Sequence, residues 1–156
     1  MLESTWQYII IRTFPESIIL ILAGVILLGK KINKLEILKN GLLLGLLITI
    51  IRKLPINFGV HTILAMVTLL VLLYNMSDRA SFIPPLITTS LIWIALAISE
   101  GIYIGLAINV LKIPFEYLAS NSTPEGAILT LPSLIILMVI ILLFKSIKNK
   151  IINKRI

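Results

Sequence analysis

The sequence contains no cysteine and a single histidine, His61, among its 156 residues. The first absence excludes disulfide bonds and thiolate metal sites, and one imidazole falls short of the several ligands that a zinc or haem centre needs. The eight glycines are scattered through apolar stretches and form no phosphate-binding loop. Acids clustered with histidine or cysteine, the usual sign of an enzyme site, are also missing. We therefore expect no metal, no cofactor and no catalysis.

Charged residues make up only 13% of the chain, whereas hydrophobic residues make up 58%. Apolar segments alternate with short polar breaks from Tyr8 to Phe144, and about 20 apolar helical residues suffice to cross a bilayer core. No segment is polar enough to form a soluble domain, so nucleic-acid binding is not expected despite the net charge of +7. The sequence predicts an all-α, polytopic transmembrane bundle embedded in a lipid bilayer.

The hydrophobic pattern predicts five spans. They cover residues 6–29, 36–51, 60–75, 82–111 and 127–144. The fourth is too long for one perpendicular crossing, and Pro84 and Pro85 suit its start better than its interior. We expect one long tilted helix that ends in an interfacial piece around residues 102–111, with a span and a re-entrant segment as the alternative. Residues 113–121 are expected to form a short interfacial stretch anchored by Phe115 and Tyr117.

The Lys and Arg residues are concentrated at two flanks of the predicted spans. Four lie in residues 30–39 and five in residues 145–155. Four predicted spans separate these flanks, which places both on the same side of the membrane. Because Lys and Arg are enriched in cytoplasmic loops, we expect a transmembrane domain of residues 1–144 in the inner membrane, its retained N-terminus outside, and a basic cytoplasmic tail of residues 145–156.

Among the ionisable residues inside the predicted spans, Arg12, Glu16 and Glu100 are the strongest candidates for a structural or functional role. Arg12 and Glu16 are four residues apart on one helix face, which predicts a structural ion pair. An arginine that reaches the lipid headgroups, or a ligand or ion site, remains an alternative there. Glu100 stands in an apolar stretch and is expected to be a buried proton carrier, a partner of Arg12 or Arg52, or an interfacial residue.

The junction between the second and third predicted spans is the most distinctive stretch of the chain. It combines two cations with a proline break and the single histidine, and such breaks persist where backbone is buried in protein or lines a watery cavity. We predict one ligand-binding pocket that opens toward the outer face and is lined by Arg52, Lys53, Asn57, His61 and Glu100. The alternatives are that the two cations contact lipid phosphates and that His61 is a packing residue.

Residues 8–16 (YIIIRTFPE), followed by residues 51–64 (IRKLPINFGVHTIL), resemble the membrane sensor region of quorum-sensing-type GHKL histidine kinases. In that family several spans precede a cytoplasmic dimerisation and ATP-binding domain. The resemblance covers about the first half of the chain. Because only twelve residues follow Phe144, no phosphoacceptor helix or ATP-binding domain is expected here. The resemblance thus implies a sensor module without an enzyme, or one that acts through a partner.

These observations lead us to expect a signalling or regulatory module. It would sense a small molecule or peptide and act through a protein partner or a second copy of the chain. The alternative is a small transporter subunit, such as the substrate-binding membrane component of a vitamin or ion uptake system. Association with a kinase or with itself would indicate a sensor, whereas copurified substrate and uptake with an energising partner would indicate a transporter.

Overall fold

The computed structural model describes residues 6–55, 58–77, 81–119 and 123–153. Within these ranges the chain is helical and forms no strand, which confirms the predicted all-α class. The elements are α1 (Trp6–Tyr8), a π-helical segment (Ile9–Thr13), α2 (Phe14–Leu28), α3 (Lys34–Lys53), α4 (Phe58–Met76), α5 (Ile83–Asn109), α6 (Phe115–Ala119), α7 (Pro124–Thr130) and α8 (Pro132–Asn153).

Four helical stretches in the described part of the chain are long and apolar enough to cross a membrane. They are Trp6–Leu28, Gly59–Met76, Ile83–Asn109 and Pro124–Lys148. The 20-residue α3 is not among them because it carries too many charges. Any 18 of its consecutive residues include at least three charged side chains, namely Glu36, Lys39 and either Lys34 or Arg52. It nevertheless packs antiparallel to α2 and also contacts α4. The helix α3 therefore lies alongside the four apolar helices in the bundle.

The helix α2 is the centre of the bundle and packs against α3, α4, α5 and α8. In an apolar stretch of 18 residues within Trp6–Leu28, 56% is buried, compared with 28–33% in the corresponding stretches of the other three candidate spans. Leu20 and Ile21 of α2 join Leu73, Ile92 and Leu137 in one fully buried core. Since large apolar side chains also cover the outward faces of the helices, the bundle suits a lipid environment and is a membrane protein.

Two glycines of α3 allow it to approach α2 closely. A Cβ atom at Gly41 would lie 2.8 Å from the Cα of Ile18, and one at Gly45 would lie 2.8 Å from the ring of Phe14. Small residues let helix backbones pack closely inside membranes. The close packing of α3 brings Arg52, near its C-terminal end, to the first helix.

The fourth predicted span is one continuous helix of 27 residues, α5, with prolines in its first turn as predicted. At 1.5 Å per residue it is about 40 Å long, which exceeds a bilayer core of about 30 Å and favours tilting. The chain turns after α5 at Lys112, whose φ of 57° is left-handed, and enters the short helix α6. Phe115 and Tyr117 of α6 are exposed, as interfacial anchors would be.

The described parts of the two basic flanks, residues 30–39 and 145–153, lie at the same end of the bundle, which we call the cationic end. Lys148 Nζ donates a 2.9 Å hydrogen bond to the carbonyl of Leu27, and Lys30 Nζ donates to the carbonyl of Met76. The predicted basic tail continues α8 as far as Asn153. At the opposite end lie α1, the C-terminal end of α3, α6 and α7.

Candidate functional site

Arg12 belongs to the π-helical segment of the first helix and is only 4% exposed. Pro15 explains the local geometry, since it has no N–H to donate to the carbonyl of Ile11 and its ring would crowd that carbonyl in a regular helix. The preceding turn is wider, and the Phe14 N–H bonds instead to the carbonyl of Ile9, five residues earlier. In this turn both Arg12 and Thr13 are buried.

The Arg12 guanidinium connects three separate parts of the chain. Its Nε lies 3.2 Å from Glu16 Oε2 on α2, and its Nη2 lies 2.9 Å from Glu100 Oε1 on α5. Its Nη1 donates to the Thr130 carbonyl and, at 3.1 Å, to Ser133 Oγ. Four of the five guanidinium N–H groups are thus used. A single buried side chain therefore links α2, α5 and the junction between α7 and α8.

The Thr130 carbonyl is available because Pro132 divides the fifth predicted span into two helices. The last four carbonyls of a helix have no partner within it and need other donors. Two carbonyls of α7 are satisfied locally, by Thr130 Oγ1 at 3.1 Å and by the Leu131 N–H at 3.2 Å. The other two are satisfied by side chains from other helices. Tyr103 Oη donates to the Leu129 carbonyl, whereas the Thr130 carbonyl accepts from Arg12 and, at 2.8 Å, from Ser133 Oγ of α8.

A second arginine lies beside this arrangement. Arg52 Nη1 is 3.2 Å from the Oγ1 of Thr13, the residue next to Arg12. This contact places Arg52 in the same part of the bundle as Arg12 and its two carboxylate partners. Two arginines and two glutamates therefore balance each other's charge, which reduces the cost of holding them in a membrane bundle.

A cavity of about 150 Å³ adjoins Arg12. It is lined by Tyr8, Arg12, Glu100, Tyr103, Ile104, Leu118, Thr130 and Ser133. The side chain of Glu100 is 44% exposed, whereas that of Glu16 is 15% exposed. Only Oε1 of Glu100 forms a hydrogen bond with the described residues. The Glu100 carboxylate is therefore the charged group that an incoming molecule reaches first.

The structure brings some of the predicted site residues together and leaves others apart. Glu100 pairs with Arg12, which is one of the predicted alternatives for this acid, and Arg52 lies beside the pair through its contact with Thr13. Because Arg12 is buried, its side chain does not reach the surface of the bundle. The alternative in which Arg12 contacts lipid headgroups therefore does not apply.

The remaining residues of the predicted junction pocket have other neighbours. Lys53 lies over the ring of Trp6, with Nζ 4.5 Å from the ring centroid. His61 Nε2 lies 3.2 Å from the Leu54 carbonyl. Of the described residues predicted to line one pocket, only Glu100 lines the cavity beside Arg12; Arg52, Lys53 and His61 do not. Asn57 lies outside the described residues.

Sequence reasoning missed Tyr8, Tyr103, Thr130 and Ser133. No local pattern links Thr130 and Ser133 to Arg12, since they are 118 and 121 residues away along the chain. Tyr8 stands four residues before Arg12 and Tyr103 three residues after Glu100, and these spacings could have placed both tyrosines on the same helix faces. A usable signal was nevertheless present. A proline at position 132, within an apolar run long enough to span a membrane, predicts a helix break and carbonyls that need donors.

A comparison of the chain with protein-family models, curated proteins and solved structures finds no match. The resemblance of its first half to histidine-kinase sensor regions therefore stays a prediction from the sequence.

Proposed function

We propose that the chain is an integral membrane signalling module that senses a small molecule or peptide at the Arg12 site and acts through a partner. One observation carries this proposal. Buried Arg12 holds α2, α5 and the α7–α8 junction together, while one of its two carboxylate partners, Glu100, remains half-exposed at a cavity. A molecule that engages Glu100 would change the contacts of Arg12 and, through them, the packing of α5 and α8.

The size and chemistry of the cavity restrict the ligand. At about 30 Å³ per water molecule, 150 Å³ corresponds to about five waters, so one functional group of a larger molecule would enter. The unused Oε2 of Glu100 accepts a hydrogen bond, so the entering group would be an N–H or O–H donor. Such a group would share the Glu100 charge and weaken its pairing with Arg12.

Spin labels at the cationic end test whether the site is coupled to α8. Because the chain has no native cysteine, Leu35→Cys on α3 and Ser146→Cys on α8 provide a specific pair of exposed attachment points. The distance between the labels is measured by pulsed electron resonance in lipid bilayers. We expect Glu100→Gln to shift the distance distribution, because the neutral amide weakens the link to Arg12. Glu116→Gln, which removes an exposed acid on α6 outside the cavity, should leave it unchanged.

A distribution of spin-label distances that is identical in wild type and Glu100→Gln would contradict the proposal, since the site would then not be coupled to α8.

Cross-linking in membranes gives an independent measurement. A sensor module should form a specific cross-linked product with a histidine kinase or with a second copy, and Glu100→Gln should change its yield.

The alternative of a small transporter subunit also has one supporting observation. A carboxylate beside a cavity within a membrane bundle is typical of ion and proton pathways. The cavity is smaller than the roughly 300–1,000 Å³ of most small-molecule sites, which favours an ion over a vitamin. Ion uptake into liposomes that requires Glu100 would support the transporter and contradict the sensor.

A further inference from the structure

A second cavity, of about 370 Å³, lies at the cationic end, remote from Arg12. It is formed where α2 ends, α3 begins and α4 ends. Its lining residues are Val25, Lys30, Lys31, Asn33, Glu36, Ile37 and Met76. Its volume falls in the range of about 300–1,000 Å³ that small-molecule sites occupy.

The end of α2 fixes the position of the two lysines. Gly29 has a left-handed φ of 73°, and the Gly29 and Lys30 N–H groups donate 3.2 Å bonds to the carbonyls of Ile26 and Val25. These two bonds form a Schellman motif, which ends the helix sharply and turns the chain across it. The Lys30 ammonium is then held by the Met76 carbonyl, while Lys31 is exposed.

The cavity combines an apolar and a polar lining. Val25 and Ile37 are buried apolar residues, and Met76 adds a third apolar side chain. Lys30 and Lys31 supply positive charge. The side-chain oxygen of Asn33 accepts the Leu35 N–H, and its Nδ2 forms no hydrogen bond with the described residues, so it remains available as a donor.

We propose that this cavity binds the headgroup of an anionic phospholipid, with the phosphate between Lys30 and Lys31 and the glycerol against the apolar lining. Basic pockets between membrane helices are typical sites for such headgroups. The surroundings favour a lipid over a soluble anion, because Ile32 and Leu35 beside the cavity are 58% and 75% exposed and would lie in the membrane interface. Glu36 on the wall disfavours anions of high charge, whereas a phosphodiester carries a single negative charge.

The test compares phosphatidylglycerol with phosphatidylcholine as ligands of the purified protein in neutral detergent, with bound lipid counted by native mass spectrometry. We expect a clear preference for phosphatidylglycerol. Lys31→Gln should weaken its binding about fivefold, as expected for one cation at a headgroup. Glu36→Gln should strengthen it, because the variant removes a negative charge from the wall. Lys39→Gln, which removes an exposed cation of α3 outside the cavity, is the matched control and should change binding less than twofold.

Three results would overturn the proposal. Equal weakening by Lys39→Gln would show that the lipid responds only to the overall charge of this end. Unchanged binding in both Lys31→Gln and Glu36→Gln would show that the cavity is not the site. Displacement of phosphatidylglycerol by millimolar inorganic phosphate would assign the cavity to a soluble anion. Helical content and monodispersity of each variant show that the comparison is made between folded proteins.

Discussion

Arg12 illustrates how a membrane bundle keeps a charge inside. Removing an arginine from water costs several kcal/mol, and this cost is offset only when nearly all of its donors are satisfied. Its two carboxylate partners differ in origin and exposure: Glu16 comes from the same helix and is largely buried, whereas Glu100 comes from α5 and is half-exposed. Removal of Arg12 would leave both carboxylates close together, whereas removal of either acid would leave Arg12 paired with the other.

This asymmetry predicts the order of stability among variants of the site. Arg12→Gln should lower stability by about 3–5 kcal/mol, as is typical when one partner of a buried pair is removed. Glu16→Gln should cost less, and Arg12→Lys should not restore stability, because one ammonium cannot reach all four acceptors. Apparent melting temperatures in detergent measure the effect, with Lys39→Gln as a control at an exposed position. A loss in Arg12→Gln no larger than in this control would show that the network contributes little.

A double-mutant cycle separates the Arg12–Glu100 interaction from other effects of each substitution. Because the two residues are in contact, the variant that combines Arg12→Gln with Glu100→Gln should lose less stability than the sum of the single losses. Purely additive losses would indicate that the observed contact carries no net energy.

At the scale of helices, the sequence predicts the elements well where the signal is local. Prolines open α5 as expected, and α4 extends the predicted span of residues 60–75 by two residues at its start and one at its end. The π-helical turn in the first predicted span and the division of the fifth into two helices were not predicted, although Pro15 and Pro132 mark them. The reason is that hydropathy measures the length of an apolar run and does not register where a backbone donor is missing.

The site could be predicted only in part for a related reason. The spacing of Arg12 and Glu16 is a local property of a helix, so the pair follows from sequence. Glu100 is 88 residues from Arg12, and its choice between Arg12 and Arg52 depends on how α5 packs against the first helix. That packing is set by the whole core, which no single segment encodes.

The contact between α2 and α3 gives a prediction at the same scale. Gly41→Ala would place a Cβ 2.7 Å from Ile18 Cγ1 and 2.8 Å from its Cα, so the two helices must move apart. We expect a loss of about 1–3 kcal/mol, as for other overpacked positions. Gly101→Ala on α5 is the matched control, because nothing lies within 4 Å of its Cβ and alanine favours helix by about 1 kcal/mol. Equal stability of the two variants would mean that the helices are not in close contact.

The whole molecule has two unlike ends. One carries Lys30, Lys31 and Lys148 around the termini of α2 and α8, and the other holds the charge-balanced site around Arg12. Lysines and arginines accumulate on the cytoplasmic side of membrane proteins. We therefore expect the cationic end in the cytoplasm and the Glu100 cavity near the outer face, which also places the proposed lipid site in the inner, anionic leaflet.

This orientation can be measured directly, because every introduced cysteine is the only one in the chain. Leu35→Cys and Ser146→Cys mark the cationic end, and Glu116→Cys on α6 marks the other; all three positions are exposed. In intact cells a membrane-impermeant maleimide should label Glu116→Cys, whereas Leu35→Cys and Ser146→Cys should react only after the membrane is opened. Reaction of Leu35→Cys and Ser146→Cys on opposite sides would contradict the shared cationic end. Labelling of both Leu35→Cys and Ser146→Cys from outside would show that the orientation is the opposite of the expected one. The cavity beside Glu100 would then lie on the cytoplasmic side, where an extracellular peptide could not reach it.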